Sequence, residues 1–303
     1  MHPGREDDRV TPKDDRLAEL YAAVGRLKPN PWKQGGVYQH DADLLKRLIQ
    51  VQVDNGKADN AQTGGVATAV DVWVACELRR AGIEADTVWP RPEQPRVVSQ
   101  SLVKAANRFR FARNPAQAEI ERRTIASLVA LAGSGRSTVI GGQFPKEVDV
   151  VIADDDRGLE LAVSTKAMTD SYAKNISNRW EEASGDLLNI RRRFPLAAFG
   201  FAFIATDPVV KEATPFDRMK DMLRKLSTVV VGAEGSAYDS ACLILTNWSR
   251  GKARLNQTDV PDDLSADRFF ERLLPALFSR SPITDHRRAR ELWLASDPPN
   301  APL

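Results

Sequence analysis

The stretch KEVDVVIADDDRGLELAVSTK, Lys146 to Lys166, reads as two strands joined by a turn. In the first strand Val148, Val150 and Ile152 alternate with Asp149. In the second, Leu159, Leu161, Val163 and Thr165 alternate with Glu160, Ala162, Ser164 and Lys166. Period-two alternation of this kind gives each strand one apolar face, and the two faces are expected to pack inward together. Asp154 to Gly158 supplies turn residues, so an antiparallel hairpin would hold Asp149 and Lys166 side by side above the sheet.

Downstream, the spacing predicts a long helix from about Asp170 to Arg193. Ala173, Ile176, Trp180, Ala183, Leu187 and Ile190 form its apolar stripe, flanked by a polar one of Asn175, Arg179, Glu182, Asp186 and Asn189. FGFAFIAT, ending at Thr206, follows as a strand apolar on both faces. Next come a helix around Phe216 to Leu226, strands TVVVG and CLILTNW, and two helices around Phe269 and Arg290. A helix over Gln117 to Leu131 precedes the hairpin. The order from Pro115 onward is that of an α/β domain around a mixed sheet. The first third reads as helices at Leu17 to Leu27, Ala42 to Val53 and Gly65 to Arg80. Proline-rich RPEQPR (Arg91 to Arg96) then suggests a joint. The expected organisation is a helical region over 1–113, able to contact DNA, and a second domain over 114–303.

At 303 residues, with 42% hydrophobic and 28% charged residues, the chain has material for a large buried core. No apolar run approaches the roughly 20 residues of a membrane span. The N-terminus lacks a signal-like apolar segment, and the two cysteines, Cys76 and Cys242, lie in apolar surroundings, so a cytoplasmic protein with buried thiols is expected. A net charge of +2 excludes a general polycation. Basic character is local: Lys104, Arg108, Arg110 and Arg113 interleaved with Phe109 and Phe111, and the run Arg191 to Arg193, which equally suits a helix C-terminus. The three histidines, His2, His40 and His286, have no metal-ligand spacing and are expected at the surface.

A helix with Glu121, a strand with Asp149, a strand ending Ser164-Thr165-Lys166 and a helix carrying Glu181 and Glu182 together resemble the PD-(D/E)XK nuclease superfamily. The resemblance covers about Ala116 to Thr206. It implies a restriction-endonuclease-like fold, a mixed sheet flanked by helices. It further implies that Asp149 and a second acidic residue hold Mg²⁺, while Lys166 orients or activates the attacking water. Such hard oxygen ligands suit that ion, and phosphodiester hydrolysis uses it to offset phosphate charge.

Ser164 stands where the family usually has an acid. A branch of type II restriction enzymes shows Ser-x-Lys there and takes its second carboxylate from a later helix, which points to Glu182, with Glu181 as the fallback. Glu121 matches a helix position that many members place near the metal. Glu160 is ranked below these, because six residues of strand separate it from Lys166 by roughly 20 Å. The expected function is a Mg²⁺-dependent DNA endonuclease of restriction or phage defence, acting on double-stranded DNA as a homodimer and not on membranes. The alternatives are an effector nuclease dependent on a defence-system partner protein, and a non-catalytic DNA-binding protein on a decayed nuclease fold. RNA as substrate stays open.

Overall fold

A computed structural model describes residues 12–58, 64–230 and 234–299. The chain begins with α1 (Pro12–Val24), a short hairpin of β1 (Trp32–Lys33) and β2 (Val37–Tyr38), α2 (Ala42–Asp54) and α3 (Gly65–Arg80). It continues through β3 (Val88–Trp89), α4 (Gln100–Arg108), α5 (Pro115–Ala132) and a second small hairpin, β4 (Thr138–Ile140) and β5 (Pro145–Glu147). Then come β6 (Val150–Asp154), β7 (Gly158–Met168), α6 (Tyr172–Arg191), β8 (Ala198–Thr206), α7 (Ala213–Leu226), β9 (Ser240–Asn247), β10 (Arg254–Leu255), α8 (Ala266–Arg280) and α9 (Arg287–Leu294).

The expected α/β class holds: a six-stranded mixed sheet in the order β10-β9-β8-β7-β6-β3 is covered on both faces by helices. β6 and β7 are antiparallel, as a tight turn permits, whereas β7–β8 and β8–β9 are parallel and need the crossover helices α6 and α7. β8 lies in the middle with every residue buried. Its Ala198, Ala202 and Ile204 face the core shared with α1, α2, α3 and α8. Its Phe199, Phe201 and Phe203 face α6 and α7. Gly200 leaves room for Phe269 of α8, to whose ring a Cβ would come within 2.7 Å.

Three expectations need correction. First, the hairpin does not have a single apolar face. Val150 and Ile152 pack toward α3, but Val148 and Val151 pack toward α6, because the chain bends at Asp149 before β6 begins. A bulge opposite Ile152 and Ala153 likewise puts Leu159 on the α6 side and Leu161 and Val163 on the α3 side. Second, the division near residue 114 falls within one continuous core: Leu17, Leu48 and Trp73 pack in the same cluster as Val163 and Phe269, and β3 is the edge strand beside β6. α3, buried along nearly its whole length, is a core helix covering the sheet. Third, Thr228 to Val230 are not a strand, and Val229 and Val230 are exposed; the rest of TVVVG lies outside the described residues. Ala173 is also exposed, although Ile176, Ala183, Leu187 and Ile190 do form the buried stripe of α6.

Candidate functional site

β7 outruns β6. Its partner strand begins at Val150, opposite Val163, so Ser164, Thr165 and Lys166 pair on one side only, with Phe201, Ala202 and Phe203 of β8. Asp149, at the bend, occupies the vacated edge: its Oδ2 accepts the Thr165 N–H at 2.9 Å. Alternation along β7 turns Val163 toward α3, and Ala162 toward α6. Lys166, an even number of residues from Ala162, meets α6 accordingly, with Nζ 3.1 Å from Glu182 Oε1. Arg179, one turn back on α6, donates to Glu182 Oε2 at 2.6 Å. The structure therefore brings Asp149, Ser164, Lys166 and Glu182 to one place, at the edge where the hairpin opens beneath α6.

The Lys166 side chain is only 19% exposed. Burial alone would disfavour its charge, but the carboxylates of Asp149, Glu182 and Asp186 outweigh burial and raise its pKa. Burial likewise opposes ionisation of Glu182, and Lys166 and Arg179 outweigh it and lower the carboxyl pKa. Both groups are thus charged at neutral pH.

The sequence assigned no role to the residues that surround this cluster. Asp186, buried on the same helix, pairs with Lys146 of β5 at 2.7 Å. Tyr238, just before β9, donates to the Ala183 carbonyl at 2.9 Å and has Ser164 as a side-chain hydrogen-bond neighbour. Burial, then the charges of Asp186, Asp149 and Glu182, raise its pKa and keep the phenol neutral. On the opposite face, the Thr165 hydroxyl donates to Asp71 of α3, a carboxylate 5% exposed. Thr165 thus links Asp71 to Asp149, one through its hydroxyl and the other through its N–H. The Asp186 position was legible in the polar stripe of α6; nothing local in the sequence marks Tyr238 or Asp71.

Other expected residues lie apart from this cluster or outside it. Glu121 is not on a core face, since α5 buries only Ala118; its carboxylate accepts from the Ala112 N–H and the Gln117 amide. Glu181 is exposed. Glu160, on the bulge, turns to Arg157 and His286, each at 3.2 Å. His286 and His40 are not surface residues. Their side chains are 4% and 11% exposed, and His40 pairs with Asp267 at 2.6 Å, each drawn inward by a carboxylate. His2 lies outside the described residues. Both cysteines are buried and unbridged, and burial pushes the Cys76 thiol up to about 12. No helix among the described residues is long and apolar enough to cross a membrane.

Among the described residues, no group of three or more His, Cys, Asp or Glu is gathered as a metal cage. Mg²⁺, however, keeps several waters and takes one or two protein carboxylates together with substrate phosphate oxygens. Asp149 and Glu182, whose charges both act on Lys166, are the carboxylates here that could take that part. Comparison of the chain with family models, curated proteins and solved structures finds no match.

Proposed function

We propose that the chain is a Mg²⁺-dependent DNA endonuclease of the PD-(D/E)XK kind, acting in restriction or phage defence. The observation that carries the reading is the meeting of Lys166 with Asp149 and Glu182 at the open edge of a β-hairpin that leads through a helix into a parallel strand. A half-buried lysine between carboxylates is costly as a packing device and useful as a reaction centre.

In this reading Asp149 and Glu182 hold Mg²⁺, which supplies charge compensation for the phosphate and Lewis acidity toward water. Lys166, protonated in the free protein, cannot accept a proton. It donates hydrogen bonds and positive charge, orienting the attacking water and stabilising the negative charge that grows on the phosphate oxygens. Ser164 supplies a neutral hydroxyl where a third carboxylate would repel the substrate. Arg179 and Lys166 hold Glu182 ionised, the form in which it would ligate a metal. The Thr165 link to Asp71 fixes the strand edge from behind. Phe109 and Phe111, both exposed beside Arg108, Arg110 and Arg113, offer stacking and phosphate neutralisation to a nucleic acid.

A second reading, an effector nuclease that acts only with a protein partner, draws support from α5. Its Ile120, Leu128 and Leu131 are 59%, 56% and 71% exposed, an apolar surface of the sort that partners cover. Cleavage assays with purified protein separate the two. Mg²⁺-dependent cutting by the chain alone supports the first, and cutting only after addition of cell extract supports the second.

A further inference from the structure

At the C-terminal end of α6 lies an open cleft of about 950 Å³. Arg191, Arg192, Arg280, Gln143, Gly185 and Ser236 are among the residues lining it. Asp239 accepts from Arg191 at 3.1 Å and from Arg280 at 2.8 and 2.5 Å, leaving three guanidinium groups against one carboxylate. The Arg191 side chain is 10% exposed, stacks over the Phe199 ring at 4.5 Å, and has a buried Nε without a hydrogen-bond partner. Burying the Arg191 guanidinium is unfavourable, and burial lowers its pKa despite the pull of Asp239. A bound anion would relieve it.

We infer that this cleft binds a phosphate group of the nucleic-acid strand cut at the Lys166 centre. The inference rests on the nuclease reading for the identity of the strand, though not for the chemistry of the cleft. Arginine forks suit phosphate oxygens, and the Gln143 amide and Ser236 hydroxyl can add donors. Glu182 and Arg191 lie on one helix, about 13 Å apart along its axis at 1.5 Å per residue.

Gly185 gives the test. It is exposed at the cleft on α6, and a Cβ there meets nothing within 4 Å, so a longer side chain enters the cleft without displacing packed atoms. Gly185→Gln fills the space, and Gly185→Glu fills it and opposes an anion. Binding of a fluorescent duplex oligonucleotide is followed by anisotropy in EDTA over a salt series, with melting curves and Mg²⁺ cleavage assays on the same samples. Gly185→Glu is expected to melt no lower than wild type and to bind at least about tenfold more weakly at low salt, with Gly185→Gln in between. Arg192→Gln is expected to reduce the slope of log K against log salt by about one. Wild-type affinity and slope in all variants overturn the site while leaving any Mg²⁺ cleavage, and hence the nuclease reading, standing. Weakened binding with no cleavage by any sample leaves the site standing and removes the nuclease reading. Inorganic pyrophosphate that raises the melting temperature of wild type and not of Gly185→Glu, with oligonucleotide binding equal, assigns the cleft to a free phosphate compound and overturns the strand assignment.

Discussion

At the scale of single residues, Lys166 and Glu182 stabilise each other's charged forms, and each leaves a signature in the pH dependence of stability. Lys166 and Arg179 outweigh burial and lower the Glu182 pKa, so the stability it contributes is present above the ordinary carboxylate value of about 4.3 and is lost as pH falls through the lowered value. Lys166, with its pKa raised, contributes fully below about 10.4 and loses that contribution as pH rises through the raised value. Urea unfolding of wild type and Glu182→Gln is therefore expected to differ at pH 6 and to converge as the pH falls through the lowered Glu182 value. A gap independent of pH would place the effect of Glu182 in packing. Thr165→Val leaves the buried Asp71 carboxylate without the donor it has from that hydroxyl, and an expected loss of about 1–3 kcal/mol is measurable in the same experiment. The Thr165 N–H that Asp149 accepts is retained, so the variant separates the two halves of the link. Of these residues, Asp149, Ser164, Lys166 and Glu182 were legible because strand alternation and helical spacing are short-range signals. Asp71 is 94 residues from Thr165 along the chain. No local periodicity predicts such a partner.

At the scale of elements, β8 and α8 are matched across the sheet by a missing side chain. A Cβ on Gly200 would stand 2.7 Å from the Phe269 ring and 3.0 Å from Leu273. Gly200→Ala is expected to destabilise by about 1–3 kcal/mol through overpacking, and a calorimetric melt at or above that of wild type would show that α8 can move aside. The long elements could be read from the sequence. Gly65–Arg80 was foreseen to the residue, and α6 to within two residues at each end, because their apolar spacing is strong and a proline or glycine bounds them. The two-residue strands β3 and β10 were invisible, since they exist only by pairing with longer strands already in place. α5 misled for the opposite reason. Its sequence has apolar residues at helical spacing, and the helix forms, yet only Ala118 is buried and Ile120, Leu128 and Leu131 are exposed. Periodicity reports that a helix has an apolar side and says nothing of what covers it.

For the whole molecule, the N-terminal helices and the sheet share one apolar cluster, so the chain has no severable catalytic half. A fragment spanning 114–303 would expose the α3-facing side of the sheet, including Val150, Ile152, Leu161 and Val163, and would lose the edge strand β3. It is expected to lack a cooperative thermal transition and near-ultraviolet circular dichroism; a sharp transition would mean that the sheet and α6 to α9 suffice. Proline-rich Arg91 to Arg96 suggested a boundary because prolines interrupt periodic structure, but here they carry the chain from β3 to α4 while Arg91 and Arg96 are buried. A near-neutral net charge also hides the local imbalance that matters, with carboxylates around Lys166 and arginines around Asp239.

We propose that Lys166, set between Asp149 and Glu182, serves phosphodiester hydrolysis with Mg²⁺. Incubating purified wild type and Lys166→Ala with unmethylated phage DNA, in Mg²⁺ or in EDTA, tests it most directly. The prediction is discrete fragments from wild type in Mg²⁺ alone, with cleavage by the variant reduced at least about 10²-fold while it still unfolds cooperatively, at a lower temperature, and keeps its DNA binding in EDTA. Equal cleavage by Lys166→Ala would contradict the assignment of the site, and no cleavage by wild type in Mg²⁺ would contradict the claim that this chain is by itself a nuclease.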